Sequence, residues 1–277
     1  MDAVVTSPRG DASARVDSHA HVFARGLPLA PGRRYAPGYD ATTADYIRHL
    51  DRHGFTHGVL VQPSFLGTDN RYMLEALASA PGRLRGIAVV EADCPGDELA
   101  RLRAGGVVGL RLNLIGAADP ALSAEPWRSL LRRAAALGLQ IEIQAEAARL
   151  AHLLPALLGA GATVVIDHFG LPDPRLGPED PGWRAMLALA ADAPRLHLKL
   201  SAPYRLGAEG PALAARLSPS LREAFGPRLV FGTDWPHTQH EGPAHAAAAL
   251  HDLETWLPDP TDRAVCLGAS AVALFGV

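Results

Sequence analysis

Short runs rich in Val, Ile and Leu alternate along the chain with longer runs whose apolar residues recur every three or four positions. The short runs predict strands at Arg15–His21, His57–Gln62, Leu84–Val90, Gly106–Leu112, Leu139–Gln144, Thr163–Asp167, Leu196–Ser201 and Arg228–Thr233. The longer runs predict helices at Thr43–His53, Asn70–Ser79, Asp97–Arg103, Pro126–Leu137, Ala147–Leu158, Trp183–Ala191, Pro211–Phe225 and Ala244–Trp256, with a last helix at Thr261–Phe275. Several strands are nearly all apolar, such as Val164-Val165-Ile166 and Leu229-Val230-Phe231. Such strands are covered on both faces, as in parallel sheets flanked by helices. Eight strand–helix alternations predict one (β/α)8 TIM barrel over residues 15–277, preceded by a loose tail over residues 1–14. A doubly wound open sheet is the alternative architecture, but no Gly-x-Gly-x-x-Gly follows a strand, so nothing suggests a dinucleotide site.

Composition narrows the class. The chain has 277 residues, 48% hydrophobic content and a net charge of −3. A basic stripe interleaved with aromatics is missing, so nucleic acid is not an expected partner. No apolar run is long enough for a membrane span, and the first residues lack the apolar core of a signal peptide. Two cysteines, Cys94 and Cys266, exclude a disulfide framework and fit a reducing cytoplasm. Of the 26 basic side chains only Lys199 is a lysine. A chain that uses arginine for every general cation is expected to keep its one lysine for a specific task.

Candidate chemistry gathers at predicted strand ends. His19 and His21 are one residue apart, so on a strand both imidazoles face the same way. His168 ends the sixth strand and Asp234 follows the eighth. Arg111, Gln144 and Lys199 lie at the ends of the fourth, fifth and seventh. In a closed barrel these ends form one ring, where barrel enzymes place their sites. Two long connections, Ala24–Asp40 and Leu171–Gly182, leave the same ends and are expected to shape access or specificity.

The segments Asp17-Ser18-His19-Ala20-His21-Val22-Phe23, Arg34-Tyr35-Ala36-Pro37, Gln62-Pro63-Ser64, Gly67-Thr68-Asp69-Asn70, Gly109-Leu110-Arg111-Leu112-Asn113, Asp167-His168-Phe169-Gly170, Lys199-Leu200-Ser201, Tyr204-Arg205 and Gly232-Thr233-Asp234-Trp235-Pro236-His237 occur in order over nearly the whole chain. Together they resemble the amidohydrolase superfamily, in the branch that includes the 2-pyrone-4,6-dicarboxylate lactonases. The resemblance implies a catalytic set of His19, His21, His168 and Asp234. The same four are the implied ligands if a metal is bound: one divalent ion, zinc by preference, or none, since the lactonase branch works without a required metal.

The implied reaction is opening of a small anionic lactone by water, with Asp234 as base. Arg111 and Arg205 are expected to clamp a substrate carboxylate, because a guanidinium offers it two parallel hydrogen bonds. Ser64, Thr68, Asn70, Gln144, Lys199 and Tyr35 are expected to supply further contacts. The uncharged segment after Asn113 and Leu171 after Gly170 leave fewer cations than a dicarboxylate calls for. A sugar lactone or a muconolactone is therefore as good an expectation as the pyrone. A zinc-dependent decarboxylase of an aromatic acid is the alternative function.

Overall fold

The computed structural model describes residues 14–241 and 245–277, the side chains of 245 and 246 excepted. Residues 1–13 of the expected tail, and the expected start of a helix at Ala244, lie outside the described residues. Ala14, assigned to the tail, is buried.

Eight parallel strands pair in sequence order: β1 (Val16–Ala20), β2 (His57–Val61), β3 (Leu84–Ala88), β4 (Val107–Asn113), β5 (Gln140–Gln144), β6 (Val164–Ile166), β7 (Leu196–Ser201) and β8 (Leu229–Gly232). Helices α1 (Thr43–His53), α2 (Arg71–Ser79), α3 (Gly96–Ala104), α4 (Trp127–Ala136), α5 (Ala147–Gly159), α6 (Pro181–Asp192), α7 (Gly210–Phe225) and α8 (His245–Trp256) follow the strands. The last expected helix is broken into α9 (Pro260–Ala264) and α10 (Ser270–Phe275) by a wider turn of i→i+5 bonds at Val265–Ala269.

The ring closes just past the named strands. Asp234 N donates to His19 O at 2.8 Å and His21 N to Trp235 O at 2.7 Å. A buried carboxylate reinforces this seam: Asp17 accepts from Thr233 N and from Thr233 Oγ1, each at 2.7 Å, and from Tyr46 at 3.1 Å. Gly232 is required here by close approach, since a Cβ at this position would lie 2.6 Å from His19 Cβ and 2.9 Å from His19 N.

Local signals explain why the helices sit where they do. Thr42 caps α1 by accepting from Asp45 N, Asp45 returns a bond to Thr42 N, and Gly54 ends the helix at φ 69°. Tyr46 and Leu50 then point into the core between barrel and helices. Along β2, Leu60 joins that outer core, while Val59 and Val61 join a separate cluster with Val16, Ile87, Val230, Ala271 and Phe275. Alternation across the pleat therefore fills the barrel interior from the strands and seals it with α10. Among the described residues no helix is long and apolar enough to cross a membrane.

Candidate active site

The same alternation places polar groups inside the barrel above the apolar cluster. On β4, β5 and β7, Leu110, Leu112, Ile141, Ile143, Leu198 and Leu200 face the helices. The residues that alternate with them, Arg111, Glu142, Gln144, Lys199 and Ser201, are buried without joining that core. Register pairs Arg111 with Glu142 and Asn113 with Gln144. Lys199 forms an ion pair with Glu142 and lies 3.5 Å from Asp167 Oδ1. Arg111 donates to Gln144 Oε1 at 2.6 Å and reaches Asp167 Oδ2 at 3.4 Å. A buried ion network of this kind rarely stabilises a fold more than apolar packing would, and removing one partner costs about 3–5 kcal/mol. Its value is in what it holds in place.

It holds the histidines. His19 Nδ1 lies 3.1 Å from Lys199 Nζ, and the opposite nitrogen, Nε2, lies 3.6 Å from Asp234 Oδ1. His21 Nδ1 donates to Val61 O at 2.7 Å, which leaves Nε2 with its lone pair 3.3 Å from the same Asp234 Oδ1. His168 Nδ1 pairs with Ser201 Oγ at 2.8 Å. The His19 ring centroid is 5.0 Å from that of His21 and 4.8 Å from that of His168. Asp234 sits at φ 59°, a backbone conformation uncommon for a residue with a side chain and often found at working sites. Its Oδ2 accepts from Tyr204 at 2.7 Å and from Arg205 Nε at 2.8 Å. His19 Nε2 and Asp234 Oδ1 are both buried without a hydrogen-bond partner.

The charges follow from these contacts. Burial alone pushes Asp234 upward, but the opposing influences, led by the Arg205 guanidinium, outweigh it and hold the carboxyl well below the usual carboxylate range. Burial, then the Lys199 ammonium, keep His19 neutral by moving it well below the ordinary imidazole value. Burial lowers His168 to about 4. Burial and the neighbouring Asp167 push Glu142 up, against Lys199 and Arg111. Asp17, at the seam, is raised by burial to about 6 despite its hydrogen bonds.

The ligand-type atoms of His19, His21 and Asp234 lie within 4.8 Å of one another, close enough to share an ion. His168 falls in a second such group, with His19 and Asp167, so the structure does not bring all four expected ligands to one point.

A cavity of about 20 Å³, room for roughly one water, is lined by His21 and His168 of the three histidines, together with Ser64, Tyr35, Arg111, Gln144 and Arg205 among others. A cavity of about 690 Å³ opens beside it and shares Arg34, Gln144 and Arg205 with it. Of the expected contact residues, three lie elsewhere. Thr68 is exposed and lines neither cavity. Asn70 spends its amide on Thr68 O, Val89 O and Val89 N, which pins the end of β3. Lys199 is wholly buried beneath His19 and does not reach the cavity. Tyr35 lines the small cavity and pairs with Thr238 at 3.2 Å.

Three residues outside the expected set matter. Arg34 lines both cavities from the first long connection. Tyr204 holds Asp234, and Asp167 helps to hold Lys199 and Arg111. The one available signal was adjacency, since Arg34 precedes Tyr35, Tyr204 precedes Arg205 and Asp167 precedes His168. The second long connection is pinned: Asp180 accepts from Asp173 N at 2.7 Å and Gly182 N at 2.8 Å, and caps α6.

The amidohydrolase family model matches residues 16–277. A 2-pyrone-4,6-dicarboxylate hydrolase of Comamonas testosteroni is 33% identical over 234 residues, covering 80% of this chain and 76% of its own. A 4-sulfomuconolactone hydrolase of Rhizobium radiobacter is 28% identical, with 94% and 89% covered. Among solved structures, a probable 2-pyrone-4,6-dicarboxylic acid hydrolase from Acinetobacter baumannii with citric acid bound superposes with a TM-score of 0.91 at 42% identity, over 95% of this chain and 99% of that one. With a match that starts in the first strand and runs to the last residue, the chain belongs to the amidohydrolase family.

Proposed function

We propose that the protein hydrolyses a small anionic lactone at the C-terminal rim of the barrel. The observation that carries this reading is the pair of unpartnered buried atoms, His19 Nε2 and Asp234 Oδ1, 3.6 Å apart, with His21, 3.3 Å from the same oxygen, lining the small cavity. One is suited to donate to a carbonyl oxygen, the other to accept from a water. Lactone hydrolysis is also what the relatives from Comamonas and Rhizobium perform, which favours the hydrolase over a decarboxylase.

In the proposed reaction the lactone carbonyl oxygen accepts from His19, with His168 alongside. Asp234 Oδ1 orients a water toward the carbonyl carbon and takes its proton. Arg205 and Tyr204 keep Asp234 a weak base. The proton therefore passes on to the lone pair of His21 Nε2, 3.3 Å away. The new C–O bond forms, negative charge develops on the carbonyl oxygen, and donors aimed at it lower the barrier. Collapse breaks the ring C–O bond. The departing ring oxygen takes the proton from His21, and the other product group is a carboxylic acid that ionises in water.

Arg111 and Arg205 stand at the cavity for a substrate carboxylate, and Arg34 is placed for a second. The relative with citric acid bound accommodates a small polycarboxylate, in keeping with that charge pattern. Ser64, Gln144 and Tyr35 are proposed as neutral contacts. The donor set does not fit a catalytic zinc, which takes three lone-pair ligands. His21 and Asp234 offer lone pairs, whereas an ammonium 3.1 Å from His19 Nδ1 favours the hydrogen on Nε2. No step is routed through a metal.

A panel of lactones and aromatic acids read with a pH indicator tests the proposal, since ring opening releases a proton and decarboxylation consumes one. Turnover of a carboxylated lactone that vanishes in Asp234→Asn is expected. A panel without proton release, or an Asp234→Asn variant of near wild-type rate, overturns it.

A further inference from the structure

We propose that Lys199 is a positioning residue that decides which nitrogen of His19 carries the hydrogen, and so makes His19 a hydrogen-bond donor instead of a metal ligand. The proposal rests on the lactone-hydrolase reading for its catalytic consequence and on geometry alone for its structural part.

A neutral imidazole has one N–H and one lone pair. Three atoms crowd His19 Nδ1: Lys199 Nζ at 3.1 Å, Asp167 Oδ1 at 3.3 Å and Glu142 Oε1 at 3.4 Å. The two oxygens would want a hydrogen on Nδ1, the ammonium would want a lone pair. Direction decides between them. A ring N–H bonds close to the line of its N–H vector, and both oxygens are without a hydrogen-bond partner, so neither lies on that line. An ammonium has three donors and nothing to accept with, so its contact requires Nδ1 to accept. Lys199 cannot swing away, because it is wholly buried, paired with Glu142 and seated 6.0 Å from the Phe275 ring centroid. The hydrogen is thereby placed on Nε2, the nitrogen that faces Asp234 and has no partner.

A metal-binding histidine usually has the reverse arrangement, with its far nitrogen donating to a carboxylate or carbonyl. His21 shows it, donating to Val61 O. At His19 the needed carboxylates are present and the lysine overrides them. Without Lys199, Nδ1–H is free to turn to Asp167 or Glu142. Nε2 then offers its lone pair beside His21 Nε2 and Asp234 Oδ1, which completes three ligands. The compact, single-point charge of lysine suits this place better than the broad fork of the arginines used elsewhere in the chain.

Long-range 1H–15N spectra of histidine-labelled protein report the tautomer directly, with His19→Gln identifying the signal. Wild type is expected to show His19 protonated at Nε2. Lys199→Met is expected to move the hydrogen to Nδ1, to lower kcat about 100-fold through loss of one oxyanion donor with KM little changed, and to retain about one zinc after exposure and dialysis where wild type retains none. Lys199→Met/Glu142→Gln removes both charges and serves if the single variant does not fold. A wild-type His19 protonated at Nδ1, or either variant keeping Nε2 protonated, overturns the proposal. Because the spectra need no substrate, a lactone panel that fails entirely overturns the functional reading while the tautomer result still stands.

Discussion

Replacing Gly232 by alanine tests the seam on which the site is built. The added methyl would lie 2.6 Å from His19 Cβ and 2.9 Å from His19 N, both inside contact distance. Neither neighbour is the loose end of a side chain, so β8 and β1 must part. Forcing one extra carbon into a packed site costs about 1–3 kcal/mol. In a chain of this size that is a fall in Tm of about 2–6 °C. The catalytic cost is larger, because the shift falls between His19 and Asp234, and about 1 Å of misplacement lowers rates about 100-fold. Thermal melts followed by circular dichroism, together with proton release from a turned-over lactone, measure both. Gly159→Ala is the control, since a Cβ there meets nothing within 4 Å. A Gly232→Ala protein that melts with the wild type and turns over within twofold of it would refute the reasoning.

Other outcomes follow from the same geometry. Arg34→Gln should raise KM for doubly charged lactones at least tenfold and leave singly charged ones nearly unchanged; equal effects on both would remove Arg34 from recognition. Chelator treatment should leave the rate within twofold, checked by metal analysis of the same sample. With His168 lowered to about 4 and the Asp234 carboxyl held below the usual range, protonation of these groups should not limit activity above about pH 5. A His168 midpoint near its ordinary value of 6.5, read by NMR titration of histidine-labelled protein, would contradict this. Asp17 is an acid whose folded value is raised, from 3.8 to about 6. Its contribution to stability is therefore greatest when it is protonated and is lost as pH rises from about 4 to about 6. Comparing the Tm of wild type and Asp17→Asn across that window should show the gap changing with pH; a constant gap would refute the assignment.

The barrel was legible because its strands and helices differ in period, and period survives in the chain. The cluster of His19, His21, His168 and Asp234 was legible because two sit one residue apart and all fall at strand ends. Depth within the barrel was not. Lys199 and Arg111 read alike as cations at strand ends, yet one lies beneath His19 and the other at the cavity. Depth depends on the tilt and stagger of neighbouring strands, which no local pattern records. Asn70 looked like a substrate contact because an exposed amide and one tied to three backbone groups are the same letter. Arg34 was passed over because an arginine in a polar connection has no distinguishing pattern until the connection folds over the rim.

The bond from Asp234 N to His19 O, 215 positions apart in the chain, means that the segment leaving the last strand brings the proposed base to a pair of imidazoles made at the outset. A fragment ending before β8 would own every histidine of the set and still be inert. Turnover in this molecule thus doubles as a report of ring closure: two separately produced fragments cut in an exposed connection should be silent apart and regain activity only when mixed and annealed into a complete circle.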